Sequence, residues 1–205
     1  MVTESRLERM QEVLTGRLGH VRCAAEALYH RHNVSAILRT CDALGIHRVH
    51  LVGEDFVATI GASRGAERWL EIAEHPTAEE AVAAIQAAGF RLWVADFAEP
   101  PVAPEQVPVD EPVCVWVGAE LSGVSEAARA AADGVVTVPM RGFTQSLNVS
   151  VAAALALRPI AERARALGPA ALLSEAEQQA IYEGWKAREA DEGRGISARA
   201  DLHQP

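Results

Sequence analysis

The sequence predicts an α/β protein in which helices cover a parallel β-sheet. Short apolar runs rich in valine, such as VCVWV at 113–117, alternate with longer segments whose apolar residues recur at helical spacing. Strands of a parallel sheet are buried on both faces, and continuous apolar runs are typical of them. The alternation of strands and helices therefore favours one parallel sheet with helices on both faces.

The predicted elements follow one another regularly along the chain. The strands occupy 21–28, 49–52, 91–97, 113–117 and 135–138. The helices occupy 4–18, 33–44, 77–88, 122–131, 148–166 and 174–188. Asn33 is expected to cap the second helix, and Gly45 and Gly89 to end the second and third. A proline-rich connection spans 100–112, and the tail from Asp191 is expected to be poorly ordered.

Composition is that of an ordinary globular domain, with 49% hydrophobic and 23% charged residues among 205. No apolar run reaches the roughly 18–20 residues that span a bilayer, and the opening MVTESRLERMQ lacks the apolar core of a secretion signal. Cys23, Cys41 and Cys114 match neither a disulfide framework nor a zinc site, so reduced, buried thiols are expected. We expect a cytoplasmic protein without membrane attachment or metal.

The net charge of −9 argues against a nucleic-acid partner. However, the first 50 residues hold more arginines than acidic residues, and the acidic excess lies further along the chain. Charge alone therefore leaves RNA binding open.

The ends of the predicted strands are the places to look for a ligand site, because open parallel sheets bind ligands beyond the carboxyl ends of their strands. Gly118 follows the strand VCVWV, and Pro139 follows VVTV. A GxGxxG fingerprint and a P-loop are both missing from the sequence, so NAD or ATP binding by those routes is unsupported.

Three segments carry polar residues in an unusual arrangement: HNVSAILRTCDALG at 32–45, GAELSGVSEAA at 118–128 and VPMRGFTQSLNVSVAAA at 138–154. In order and spacing they resemble motifs 1, 2 and 3 of the SpoU/TrmH family of SPOUT RNA 2′-O-methyltransferases. GASRGAERW at 61–69 and LSEAEQQAIYEGW at 173–185 resemble its TrmH branch, which methylates a guanosine in the tRNA D-loop.

The resemblance implies a SPOUT fold, in which a parallel sheet flanked by helices ends in a deep trefoil knot, with helical extensions at both termini. The methyltransferase domain would span 21–167 with the knot at about 113–160. An N-terminal extension would occupy 1–20, a C-terminal helix 168–190 and a disordered tail 191–205. The family forms homodimers with the active site at the interface.

The resemblance also implies a cofactor, S-adenosyl-L-methionine, which leaves as S-adenosyl-L-homocysteine. The backbone around Gly118, Val138, Met140 and Leu147 would hold it, and Ala95 would close the pocket. For Val138 and Leu147, plain core packing is the alternative.

Five residues of the motifs would form the catalytic centre: Arg39, Asn33, Glu120, Ser146 and Asn148. A guanidinium is a reluctant base, so Arg39 is better suited to binding the adjoining phosphate and stabilising the developing oxyanion. Glu120 would orient Arg39 or the ribose, or else be a solvated turn residue. Asn33 could cap its own helix as well as support Arg39.

The tRNA would be gripped by the terminal helices and the segment before motif 1. The candidate RNA-binding residues are Arg6, Arg9, Arg17, Arg22 and Arg31, although glutamates stand between several of them. Two alternatives stay open: a 2′-O-methyltransferase acting on rRNA or another tRNA position, and a non-catalytic protein that binds RNA or S-adenosylmethionine.

Overall fold

A seven-stranded sheet forms the centre of the protein, whose structure here is a computed structural model. It describes residues 2–28, 30–53, 65–97, 100–119 and 122–200, without the side chains of Arg31 and of 191–200. The strands are β1 (Val21–Glu26), β2 (Arg48–Val52), β3 (Glu71–His75), β4 (Arg91–Ala95), β5 (Pro101–Val102), β6 (Val113–Val117) and β7 (Gly134–Val136). Their order across the sheet is β3-β2-β1-β6-β4-β7-β5, and the ladders among the described residues run parallel.

Helices cover both faces of this sheet. They are α1 (Glu4–Thr15), α2 (Arg31–Ala43), α3 (Ala78–Ala87), α4 (Glu126–Ala131), α5 (Val149–Arg165) and α6 (Glu175–Ala200). α2 and α5 pack on one face, and α3 and α4 on the other. The predicted α/β class with a parallel sheet flanked by helices is confirmed.

The core owes its two layers to the alternation of side chains along each buried strand. In β6, Val113, Val115 and Val117 face α2 and α5, whereas Cys114 and Trp116 face α3 and α4. All five side chains are buried, which explains why the strand is an unbroken apolar run.

The terminal helices are joined by a separate, smaller cluster. Met10 and Leu14 of α1 pack against Trp185 of α6, and all three are buried. α1 and α6 therefore pack against each other through this cluster.

Two strands, β3 and β5, were not predicted from the sequence because neither has the apolar pattern of a central strand. β3 lies at one edge of the sheet, is only partly buried and reads EIAEH, in which three of the five residues are polar. β5 has two residues and begins with Pro101 at the other edge, where a missing N–H is tolerated.

Two helix starts were predicted wrongly. α2 begins at Arg31 with His30 in the N-cap position, so Asn33 lies inside the helix and is not its cap. α4 begins at Glu126 and not at 122, because Ser125 caps it through a bond to the N–H of Ala128. Gly123, at φ +68°, precedes that cap in a left-handed turn.

The last helix continues to Ala200, beyond the 188 that the sequence analysis expected. The disorder of the tail, the domain limits and the trefoil knot stay predictions.

Candidate functional site

A cavity of about 360 Å³ opens at the carboxyl edge of the sheet, where the chain leaves β4, β6 and β7. It is lined by Ala95, Asp96, Phe97, Val117, Gly118, Ala119, Gly123, Val136, Thr137, Val138, Met140, Ser146, Leu147, Asn148, Val149, Ala152 and Ala156. All five residues predicted to hold the cofactor are in this lining: Ala95, Gly118, Val138, Met140 and Leu147. The structure thus brings together residues from three separate loops and the start of α5.

The wall after β6 is a close-packed turn that only a glycine can start. A Cβ on Gly118 would lie 2.5 Å from the backbone nitrogen of Val124, and closer still to the carbonyl of Gly123. Two backbone bonds hold the turn: Ala119 N donates to Gly123 O at 3.1 Å, and Gly123 N donates to Ala119 O at 2.9 Å. Gly118 therefore sets the shape of the cavity through its missing side chain.

The wall after β4 centres on Asp96, a lining residue that the sequence analysis missed. Its carboxylate forms an ion pair with Arg129 of α4 at 2.7 Å and accepts the N–H of Phe97 at 2.7 Å. Its carbonyl accepts the hydroxyl of Thr137, which follows β7. These contacts tie three parts of the chain to one another at the cavity rim.

Motif 1 and motif 3 meet through two asparagines. Asn148 Nδ2 donates to Asn33 Oδ1 at 3.1 Å, while Asn148 Oδ1 accepts the backbone N–H of Ser150 at 3.0 Å and its hydroxyl at 2.6 Å. Asn148 therefore caps α5 and holds α2 beside it. Asn33 is buried, and its bond to Asn148 links α2 to α5.

Arg39 lies elsewhere on α2, on the exposed side of the helix. Among the described residues it has no hydrogen bond or ion pair with any other, and it is absent from the lining of the cavity. Ser146 is exposed and does line the cavity. Glu120 lies outside the described residues.

Among the predicted RNA-binding residues whose side chains the structure describes, Arg17 is the one that is fully buried. It is 1% exposed, its guanidinium donates to the carboxylate of Asp42 at 2.5 Å, and it lies over the ring of Trp185 at 5.7 Å. This burial and the pairing with Asp42 argue against Arg17 as a residue that contacts RNA. Arg22 is half-buried on the ring of Phe90 at 3.8 Å.

Arg6 and Arg9 line a second cavity, of about 530 Å³, between the terminal helices. Arg6 lies over the ring of Trp69 at 4.9 Å and pairs with Glu189 at 3.4 Å, and Arg9 pairs with Glu12 at 2.6 Å. Exposed pairs of this kind are weak and exchange readily for a phosphate. The side chain of Arg31 lies outside the described residues.

Two buried histidines have strongly lowered pKa values. Burial, with the charge of Arg17, lowers the pKa of His47 to about 4. Burial, with the charge of Arg22, lowers that of His50 to about 3, and its Nδ1 lies 2.9 Å from His75 Nε2. Both are neutral at pH 7.

The three cysteines are free and buried, as the sequence analysis expected. Burial raises the pKa of the Cys114 thiol, and a hydrogen bond with Cys23 together with burial raises that of Cys41. No group of three or more His, Cys, Asp or Glu side chains in the described part of the chain is arranged to hold a metal ion. None of the helices in that part has both the length and the apolar character needed to cross a membrane.

The cavity at the carboxyl edge fits the S-adenosylmethionine implied by the resemblance. Its volume of about 360 Å³ lies within the roughly 300–1,000 Å³ of small-molecule sites. Val136, Val138 and Leu147 supply apolar surface for a flat ring, and the Asp96 carboxylate supplies an acceptor for hydroxyl or ammonium groups. The residues present therefore suit a ligand with an apolar ring and polar ends.

Comparisons with known proteins match this chain over most of its length. A relative from Escherichia coli (strain K12), a "tRNA (guanosine(18)-2′-O)-methyltransferase", is 36% identical over 188 residues, which cover 88% of this chain and 82% of that protein. The crystal structure of the A. aeolicus TrmH/SpoU tRNA modifying enzyme is similar at a TM-score of 0.81 and 30% identity, covering 91% of this chain and 97% of that one.

A second similar structure was solved with the cofactor bound. The SpoU methyltransferase AviRb from Streptomyces viridochromogenes, in complex with AdoMet, is similar at a TM-score of 0.63 and 26% identity, covering 77% of this chain and 65% of that one. The model of the SpoU rRNA Methylase family matches residues 20–158, a span that contains all three motifs. The chain belongs to the SpoU rRNA Methylase family.

Proposed function

We propose that this protein transfers a methyl group from S-adenosylmethionine to the ribose 2′-hydroxyl of a guanosine in the tRNA D-loop, the guanosine-18 type of reaction. The observation that carries the proposal is that motifs 2 and 3 line one cavity, and that Asn148 of this lining donates to Asn33 of motif 1 at 3.1 Å. The name of the E. coli relative supports the same substrate and reaction.

When bound, the cofactor supplies an electrophilic methyl group on a sulfonium, and the chain's own residues must hold and orient what reacts with it. The turn at Gly118 and the backbone near Val138, Met140 and Leu147 would hold the cofactor, with Ala95 at the end of β4. Gly118 admits a close backbone approach, and the apolar side chains exclude water.

The substrate hydroxyl needs its developing negative charge stabilised, since a ribose hydroxyl is a poor nucleophile until it loses its proton. Arg39 is suited to this, because a guanidinium stays protonated and binds phosphate and oxyanion oxygens through several N–H groups. It makes no ion pair within the described residues, so its donors face outward. Ser146 and Asn148 would place hydrogen-bonding groups at the cavity mouth, and Glu120 would orient Arg39 or the ribose.

The position of Arg39 supports a homodimer. Arg39 lies on the exposed side of α2 and outside the cavity of its own chain. α5 packs beside α2 and exposes Val151 and Leu155, 46% and 47% accessible, one turn apart. We infer that this α2/α5 surface pairs with a second copy, so that Arg39 of one protomer reaches the cavity of its partner.

The tRNA would be bound by Arg6 and Arg9 on α1, together with Arg22 near the start of β1 and Arg31 at the start of α2. Trp69 beside Arg6 gives the α1 surface an aromatic ring on which a base could stack. An enzyme that modifies tRNA would act in the cytoplasm, and we propose that location for this protein.

A second candidate function is the same reaction on rRNA or on another tRNA position, which the description of the matching family model favours. The experiment is to incubate the protein with cofactor carrying a labelled methyl group, total tRNA and ribosomal RNA, and to map the modified nucleotide. Label at a tRNA D-loop guanosine is expected. Label in rRNA with unlabelled tRNA would favour the second candidate, and no transfer to either would contradict both.

A further inference from the structure

Glu26 is a buried carboxylate at the carboxyl end of β1 and is 8% exposed. Its Oε2 accepts two hydrogen bonds, one from the indole Nε1 of Trp116 at 2.8 Å and one from the backbone N–H of Ser125 at 3.0 Å. The donors are 90 and 99 residues away in the sequence, so these bonds are long-range tertiary contacts.

The two donors stand at opposite ends of the turn that forms the β6 wall of the cavity. Trp116 comes two residues before Gly118, and Ser125 follows Val124, against which Gly118 packs. Ser125 also caps α4 by accepting the N–H of Ala128. One carboxylate oxygen therefore connects the strand before the turn to the helix after it.

Burying a carboxylate at this position has an unfavourable desolvation free energy. A carboxylate removed from water loses hydration that its hydrogen bonds only partly replace, and apolar residues of similar volume are often as stable. What the carboxylate adds is geometry, because two charge-assisted bonds fix both donors relative to one atom. The two ends of the turn so fixed line the cavity through Gly118, Ala119 and Gly123.

We propose that Glu26 is a positioning residue for the methyl-donor cavity: its carboxylate holds the two ends of the β6–α4 connection, at Gly118–Ala119 and at Gly123–Ser125, in the positions that bind S-adenosylmethionine, although Glu26 itself is absent from the lining. The inference rests on the proposed function in one respect, namely that the ligand of this cavity is S-adenosylmethionine. A residue that served folding alone would affect cofactor affinity only through stability. The proposal instead predicts that replacing Glu26 weakens cofactor binding beyond what the loss of stability explains.

The test compares three variants by calorimetric titration of S-adenosylhomocysteine, a readout independent of turnover. Glu26→Ala removes the acceptor and should weaken binding by about tenfold to a hundredfold, the change in affinity that corresponds to the loss of a hydrogen bond to a charged group. Glu26→Gln keeps an acceptor oxygen and should bind within about threefold of the wild type, since a neutral acceptor preserves the geometry at lower strength.

Glu177→Ala is the matched control. The Glu177 carboxylate accepts the backbone N–H of Ser174, the residue before α6, at 2.8 Å, and so makes the same type of bond away from the cavity. Its loss should lower the melting temperature while leaving the affinity for S-adenosylhomocysteine unchanged. An equal loss of affinity in Glu177→Ala and Glu26→Ala would overturn the proposal, because it would reflect general destabilisation.

If Glu26→Ala fails to fold, the proposal can still be tested with Glu26→Asp, by measuring both its affinity for S-adenosylhomocysteine and the hydrogen exchange of its backbone amides. Glu26→Asp retains the charge on a shorter side chain that cannot reach both donors, so it should weaken binding and speed exchange of the Ser125 amide without affecting the Ser174 amide. Wild-type affinity in Glu26→Asp together with faster Ser125 exchange would overturn the proposal. Failure of the wild type to bind S-adenosylhomocysteine would instead contradict the proposed function, so the two failures are distinguishable.

Discussion

Replacing Gly118 with alanine tests the shape of the cavity most simply. The new Cβ would lie 2.5 Å from Val124 N and closer to the carbonyl of Gly123, where ordinary contacts are at least 3.4 Å. The backbone of the turn must therefore move by roughly 1 Å, since backbone cannot rotate away as a side chain can. Gly118 does not have a positive φ, so this clash, and not backbone strain, determines the effect.

The expected cost follows from that overlap. Overpacking of a close-packed site costs about 1–3 kcal/mol, which for a protein of this size lowers the melting temperature by about 2–4 °C per kcal/mol. Returning the displaced turn to the shape that binds the ligand would cost the same amount, about 1–3 kcal/mol, so S-adenosylmethionine binding should weaken by about fivefold to a hundredfold.

The assays are thermal unfolding without ligand and calorimetric titration of the cofactor below the melting temperature. Gly184→Ala is the control, because a Cβ on Gly184 in α6 meets nothing within 4 Å, so it should be neutral or stabilising by up to about 1 kcal/mol. Wild-type stability and cofactor affinity in Gly118→Ala would refute the reasoning.

Three further predictions concern catalysis, assembly and pH. Arg39→Ala should lower kcat at least about a hundredfold and leave cofactor affinity within about twofold, because the lost donors act on the developing oxyanion; equal loss of cofactor affinity would contradict this role. Mixing Arg39→Ala with Gly118→Ala protomers should restore about a quarter of wild-type activity, since half of randomly formed dimers are mixed and each of those holds one intact site; no recovery would contradict an active site shared between protomers. His47 and His50, with folded pKa values of about 4 and 3, stay neutral in the folded protein while the unfolded chain takes up protons below pH 6.5. Protonation of these two groups in the unfolded chain should therefore lower the free energy of unfolding by about 4 kcal/mol between pH 8 and pH 5. Urea unfolding at both pH values measures this change, and His50→Asn should reduce it. The same pH dependence in His50→Asn as in the wild type would contradict the assignment.

The central strands and the motif segments could be predicted because the signals that specify them are local. VCVWV is an unbroken apolar run in a strand buried on both faces, and β6 has the predicted bounds. The cofactor-binding residues lie at strand ends and at the start of α5, which is where the predicted parallel sheet gathers its ligand-binding loops.

What could not be predicted depends on contacts between distant parts of the chain. Asn33 resembles a helix cap, but its partner is Asn148, 115 residues away. In the sequence Arg17 looks like the neighbouring arginines that were predicted to bind RNA, and its burial depends on the distant residues Asp42 and Trp185, which pack against it.

The most direct measurement of the central claim uses two tRNA transcripts that differ in one atom. One has guanosine at position 18 and the other 2′-deoxyguanosine, and each is incubated with the protein and S-adenosylmethionine and then weighed by mass spectrometry. Transfer of one methyl group to the first transcript and none to the second is the predicted result. Equal methylation of both would place the methyl group somewhere other than the ribose hydroxyl and would contradict the account.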